Sequence, residues 1–423
     1  MSEAVIEGAP APVSDCRPRP TLRQFGLACF ILGSTAFGGG AMIVLLEDRF
    51  TRRYRWLRAE DFLEAVALAQ SLPGAIATNT VAFVGYRLYG ALGASLGMAL
   101  YALPSFALIL LLATLYERIC DIPSAGAAFT GLNAAAAGLV AVTAARLGRQ
   151  AISAPWQLLQ AVTVFAFATL FPEVALHLIL LSLLGGLLVA MRQTRRALAT
   201  ALPAAYQGEA SRSLRKHLLV AAGIGLAVAG VWLAGHSRSD PFIQRVAQLA
   251  LVTLKVGGLT FGGGFVIIPL LGHEVADVHG WLAPKEVADA AALGLLTPGP
   301  FVIAAAFIGY RVAGLVGAGV AALGIFGIPL WLVILTAGAV ERFRQNPLTQ
   351  GALQGVMPTG VALLAAAAVA IGKGAYGPAP HTWLLAPVLG VASAWLAEAR
   401  QVNPMFLLFG GAVIGLLGSH LAP

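Results

Sequence analysis

The sequence predicts an all-α protein, a polytopic membrane helix bundle built from two homologous repeats with broken helices. Three observations carry that reading. The first is composition: of 423 residues only 11% are charged, while AVILMFWYC reach 58% and mean hydropathy is +0.82. A soluble domain carries about 25% charged residues, and so few charges cannot cover a water-exposed surface. The second is a succession of apolar stretches near the ~20 residues that cross a bilayer. The third is that the two halves of the chain copy each other.

The same arithmetic excludes other classes. The chain is too hydrophobic for disorder, has no glycine period for collagen, and its three scattered cysteines (Cys16, Cys29, Cys120) form no disulfide framework. A net charge of +8 would suggest nucleic acid in a soluble protein. Between membrane helices it fits Lys/Arg loops facing anionic lipid on the cytoplasmic side. The bilayer is therefore an expected partner and nucleic acid is not.

In chain order, residues 1–20 read as a disordered tail, with Pro10, Pro12, Pro18, Pro20 and three acids and no signal-peptide pattern. Thirteen hydrophobic segments follow, near 24–46, 62–88, 91–115, 125–147, 155–171, 173–191, 218–235, 242–271, 286–311, 313–340, 348–371, 382–397 and 403–420. Backbone groups in hydrocarbon have no water to bond, and no barrel-type alternation is present, so these segments are helices. The polar stretch 192–217 holds Arg192, Arg195, Arg196, Arg212, Arg215 and Lys216 against Glu209 and reads as a cytoplasmic linker. The expected division is 21–191 as first repeat, 192–241 as linker plus an unpaired helix, and 242–423 as second repeat.

The repeat rests on three landmarks in one order. TAFGGGAMIVLL at 35–46 matches LTFGGGFVIIPLL at 259–271, and WLRAEDFLEAVALAQSLPG at 56–74 matches WLAPKEVADAAALGLLTPG at 281–299. AFVGYRLYG at 82–90 matches AFIGYRVAG at 306–314, the offset staying at 224 or 225. Duplication of this kind is the usual ground plan of secondary transporters. If each Pro-Gly segment crosses once the copies are inverted; if each is a re-entrant hairpin they are parallel. The Lys/Arg distribution is nearly the same for both and does not choose.

Four constellations could carry chemistry. The glycine triplets Gly38, Gly39, Gly40 and Gly262, Gly263, Gly264 cost about 1 kcal/mol per residue in a helix interior, so they predict a break whose amides can face an anion. Close helix packing is the competing use of small residues. The Pro-Gly turns at Pro73, Gly74 and at Pro298, Gly299, Pro300 predict half-helices with an N-terminus at mid-membrane, and Asn79 and Thr297 add polar groups nearby. Against this, Pro kinks are common in membrane helices. Lys255 lies six residues before Phe261 among apolar neighbours, as a ligand for an anion or as a snorkelling cation. Arg87, Arg311, Glu47, Glu64, Glu274 and Asp289 are candidates for coupling or gating. Glu64 and Asp289 also fall in first helical turns, where the dipole favours acids without any function. No P-loop, CxxC, HExxH or GxSxG is present, so no metal, cofactor or catalytic residue is expected and the protein is not expected to be an enzyme.

These residues resemble the chromate ion transporter family, in its two-domain long-chain type. The likeness lies in FGGG with an apolar run, Trp-Leu with acids, Pro-Gly and Gly-Tyr-Arg, each occurring twice, with the full Pro-Gly-Pro in the second copy, where the likeness is best. The first copy departs at Ala75, where the family has the second proline of Pro-Gly-Pro. The resemblance implies a multi-pass carrier of the cytoplasmic membrane that exports chromate, with protons as the exchanged ion, from two inverted halves. A sulfate-like oxyanion of the same charge and shape, or a passive anion channel, are the alternatives, and a homodimer is admitted.

Overall fold

The computed structural model describes residues 19–37, 39–119, 122–198, 240–261, 264–337, 347–376 and 382–421. The expected tail (apart from its last two residues), most of the linker, the unpaired helix, Gly38, Gly262 and Gly263 lie outside them. Fourteen α-helices and no strand occur among the described residues. The first repeat contains α1 (Leu22–Thr35), α2 (Gly39–Glu47), α3 (Ala59–Ser71), α4 (Ile76–Ile119), α5 (Pro123–Ala151), α6 (Pro155–Leu170) and α7 (Ala175–Leu198). The second contains α8 (Pro241–Leu259), α9 (Ile267–Gly272), α10 (Pro284–Leu296), α11 (Ala304–Thr336), α12 (Pro347–Lys373), α13 (Thr382–Ala399) and α14 (Pro404–Leu421). Six of them open on a proline, the residue that loses nothing at a first turn.

The glycine-rich and Pro-Gly segments do not cross; they turn back. Phe25 on α1 packs on Phe50 beyond α2 with ring centroids 6.4 Å apart, so the arms on either side of the glycine triplet are antiparallel. Arg87, near the end of the first part of α4, reaches Asp61 at 2.7 Å and Glu64 at 2.6 Å on α3, so the Pro-Gly turn is the tip of a second hairpin. The second repeat does the same through Lys255 with Glu274 and Arg311 with Glu286 at 2.8 Å. An arm such as α3, with 13 residues, is about 20 Å long, short of the ~30 Å hydrocarbon core. Of the thirteen hydrophobic segments four are therefore re-entrant hairpins, the alternative left open for the Pro-Gly segments and here extended to the glycine-triplet ones. Among the described residues seven helices are long and apolar enough to cross, α8 being one of them, but α8 ends in a hairpin tip.

After its hairpin, each long helix bends back on itself. Gly90 (φ +65) and Gly314 (φ +60) take left-handed backbone that L side chains resist. The bend presses Gly85 so close to Gly93 that a Cβ on it would lie 2.2 Å from the Gly93 carbonyl oxygen; Gly309 and Gly317 repeat this. The remainders of α4 and α11 are long and apolar enough to cross, as are α5, α7, α12 and α13, while α6 and α14 are shorter apolar helices packed beside them. The outer helices are exchanged between repeats. Gln160 on α6 donates to the Gly355 carbonyl on α12 at 2.7 Å, and Ser182 on α7 shares a 2.6 Å hydrogen bond with Thr359 on α12. In mirror fashion α13 and α14 flank α5, where Glu398 meets Arg149 at 2.8 Å and Gly131 meets Gly411.

The repeats are inverted, and one ion pair demonstrates it. Arg311 stands at the base of a second-repeat hairpin, yet it reaches Glu117 at 3.1 Å, at the far end of α4. The second repeat's hairpins therefore open on the face opposite to those of the first. The parity argument had offered inversion only if the Pro-Gly segments crossed. Because the glycine-triplet segments also turn back, each repeat loses two crossings rather than one, and inversion is retained.

Candidate functional site

The four hairpin tips meet at the centre of the molecule, and they pair crosswise. The Gly74 amide donates to the Thr260 carbonyl at 2.7 Å, and the Gly299 amide donates to the Ala36 carbonyl at 2.7 Å. Each Pro-Gly turn of one repeat thus bonds the residue just before the Phe-Gly-Gly-Gly break of the other. Both glycines are required where they stand. Gly74 has φ +106 and a Cβ on it would lie 2.9 Å from Pro329 of α11; Gly299 has φ +94 and a Cβ would lie 2.1 Å from the Ser105 hydroxyl of α4. Gly264 lies between the turns, its absent Cβ 2.8 Å from Val302 and 3.7 Å from Ala75.

The two turns differ in what they offer. In the first repeat α4 starts directly after the turn, and the Ile76, Ala77 and Thr78 amides find no acceptor among the described residues. Thr78 and Asn79 are fully buried. Thr78 Oγ1 and Asn79 Oδ1 are unpartnered there, as is Ser105 Oγ, while Asn79 Nδ2 clamps the turn by donating to the Pro73 carbonyl at 2.9 Å. In the second repeat Pro300 starts a short 3-10 turn, Phe301–Ile303, whose three side chains are apolar and buried. Thr297 donates its hydroxyl to the Gly294 carbonyl at 2.9 Å, so its proton is already committed. Gly39 and Gly40 form the first residues of α2, as expected of residues beyond a break.

The charged candidates are placed elsewhere. Lys255 pairs with Glu274 on the returning arm of its own hairpin, joining two residues expected to act separately. The hairpin fold brings to Lys255 a carboxylate from outside its own helix. Arg87 holds Asp61 and Glu64, and Arg311 holds Glu286 and Glu117, at hairpin bases rather than tips. Burial alone would raise the Asp61 carboxyl, but hydrogen bonds from Arg58 and Arg87 and their charges outweigh it and hold the group below its ordinary value. Glu47 is half-buried near the end of α2. Asp289 is fully buried, accepting from Tyr116, Asn133 and Lys285. Ser105, Tyr116, Glu117 and Asn133 were not singled out from sequence, because they sit in long apolar helices and acquire a role only from the other repeat.

Comparison with known proteins agrees with this duplicated architecture. The family described as Chromate transporter matches twice, over residues 23–190 and 247–416. A probable chromate transport protein of Synechococcus elongatus is 28% identical over 95% of this chain and 96% of its own length. The chromate transport protein of Cupriavidus metallidurans is 29% identical over 96% of this chain and 95% of its own. An uncharacterized transporter of Bacillus subtilis, YwrA, is 29% identical over 38% of this chain but 92% of its own length, so a single repeat also occurs as a chain. No solved structure matches. With both halves matched, the chain belongs to the chromate transporter family, whose members are membrane transporters and not enzymes.

Proposed function

We propose that this protein is a secondary transporter that exports chromate across the cytoplasmic membrane by proton antiport, with the oxyanion held where the hairpin tips cross. The observation that carries the reading is the start of α4: three first-turn amides and the buried Thr78 hydroxyl without a partner among the described residues, with the likewise unpartnered Ser105 hydroxyl at the Gly299 turn. A helix N-terminus carries a positive partial charge and free donors, which suit a dianion. The apolar turn of the second repeat makes the site lopsided, with the first repeat supplying most donors. Lys255, tied to Glu274, contributes a balanced pair rather than a free cation.

A carrier is favoured over a passive channel because the tips are joined by hydrogen bonds through the centre. The hairpin geometry also orients the protein. Arg19, Arg23, Arg49, Arg52, Arg53, Arg55, Arg58, Arg87, Arg146, Arg149, Arg192 and Arg400 gather on the face where the first repeat's hairpins open. Only Arg118, Arg245, Lys285, Arg311 and Lys373 lie on the other among the described side chains. Cytoplasmic loops collect Lys and Arg, so the first face is cytoplasmic.

The test is uptake by everted vesicles, with chromate and sulfate competed against each other and the pH gradient collapsed by an uncoupler. Saturable chromate uptake that sulfate inhibits weakly and the uncoupler abolishes supports the reading. Uptake equal to that of vesicles lacking the protein rejects it.

A further inference from the structure

One fully buried acid lies far from the tips and joins the two repeats. Asp289 on α10 takes donors from the first repeat, Tyr116 Oη at 2.8 Å and Asn133 Nδ2 at 2.6 Å, and from Lys285 Nζ of its own helix at 3.0 Å. Its counterpart in the first repeat is Glu64, partly exposed and bound to Arg87. Arg87 and Arg311 carry fixed charges and each binds two carboxylates, so those acids are tied into ion-pair networks at the hairpin bases. Glu274 is paired within its own hairpin, so a proton there changes no contact between repeats. Asp289 differs in its partners: one ammonium of its own helix and two neutral donors, Tyr116 and Asn133, that belong to the other repeat.

Its surroundings suit uptake of a proton. Lys285 is 50% exposed while Asp289 is not exposed at all, so neutralising the acid leaves the ammonium in reach of water and not stranded in a dry interior. A cavity of about 280 Å³ lies on the Lys285 and Ala288 side of α10, with His273, Asp277, Lys373 and Gly374 on its wall; it reaches the partner of Asp289, Lys285, and not the carboxylate itself. Asn133 spans from Asp289 to the Gly374 carbonyl at 3.4 Å. The other ionisable neighbours are Tyr116 and Glu117 on α4, Glu286 on α10, Arg311 and Tyr310 on α11, and Tyr376 after α12; α9 and the described side chains of α14 carry none.

We propose that Asp289 is the proton-binding residue of this carrier, and that its ionised form holds the repeats together at the non-cytoplasmic face. The inference rests on the transport reading above. A proton arriving from the side of the half-exposed Lys285 binds a carboxylate oxygen, and no other covalent bond forms or breaks. Charge-assisted hydrogen bonds are roughly twice as strong as neutral ones, so the hold of Tyr116 and Asn133 weakens and that face is released.

The experiment compares wild type, Asp289→Asn and Tyr116→Phe in proteoliposomes, reading chromate movement and internal pH together. Wild type should move protons when chromate flows down an imposed gradient. Asp289→Asn should still pass chromate down its gradient while chromate-driven proton movement falls at least tenfold. Tyr116→Phe removes a donor to the ionised form only, and should shift the pH midpoint of transport upward; it decides the matter if the Asn variant fails to reach the membrane. Proton movement by Asp289→Asn equal to wild type overturns the proposal, as does an unmoved midpoint in Tyr116→Phe. Wild type that carries chromate without protons overturns it together with the proton-antiport part of the transport reading, and leaves chromate transport itself intact. Wild type that carries no chromate sinks the transport reading itself.

Discussion

At the residue scale, two glycines decide whether the centre assembles. Gly299 combines a left-handed backbone with direct contact to Ser105, so Gly299→Ala incurs both strain and overlap. Backbone strain of this kind costs about 1–3 kcal/mol, and a fall in melting temperature with loss of transport is expected. Adding Ser105→Ala removes the overlapping oxygen and should recover part of the stability, not all, because the φ strain remains; full recovery or none would contradict the geometry. The need for glycine at 74 and 299 was legible in the Pro-Gly pairs. The residues they touch, Pro329 and Ser105, were not, since contacts between distant helices leave no local pattern. Asp61 makes a prediction in pH. Its carboxyl is held below the ordinary value by Arg58 and Arg87, so its contribution to stability is present above that value and is lost only as pH falls through the lower one. Melting curves of wild type and Asp61→Asn should differ slightly at neutral pH, an exposed pair being worth about 0–1 kcal/mol, and converge in strong acid.

At the element scale, the lesson is in the hairpins. Glycine triplets and Pro-Gly pairs announced breaks correctly, but a break does not say whether the chain continues across or returns. Arm length was the available clue: 22–35 and 59–71 are each too short to span. Lys255 shows the consequence. Taken as part of a crossing span it lacks a carboxylate; folded as a hairpin it has Glu274. Lys255→Gln should therefore leave a mostly buried acid without its partner, at about 1–3 kcal/mol, and the double variant with Glu274→Gln should be more stable than the single one. Thermal melts in detergent read this directly. A double variant no better than Lys255→Gln would mean the pair contributes nothing to the hairpin.

At the scale of the whole molecule, the duplication was plain in the sequence while its handedness was not. Charge counting failed because it was applied to the wrong set of crossings; with the hairpins placed, the basic residues separate onto one face. Inversion puts the 54–58 connection and the 279–283 connection on opposite sides of the membrane. Single cysteines at Arg55 and His279 should then react with an impermeant thiol reagent from opposite sides, Arg55 from the cytoplasmic one. The same inversion lets each repeat close the other's tip and leaves an uneven centre, in which the Thr78 hydroxyl has no partner among the described residues. Chromate affinity of purified Thr78→Val tests that centre most directly, because the substitution removes the hydroxyl and keeps the shape. The account predicts affinity weakened about tenfold, the ~1.4 kcal/mol of one hydrogen bond to an anion, with the melting temperature unchanged in the absence of anion. Wild-type affinity in Thr78→Val would place the oxyanion somewhere other than the crossing of the tips.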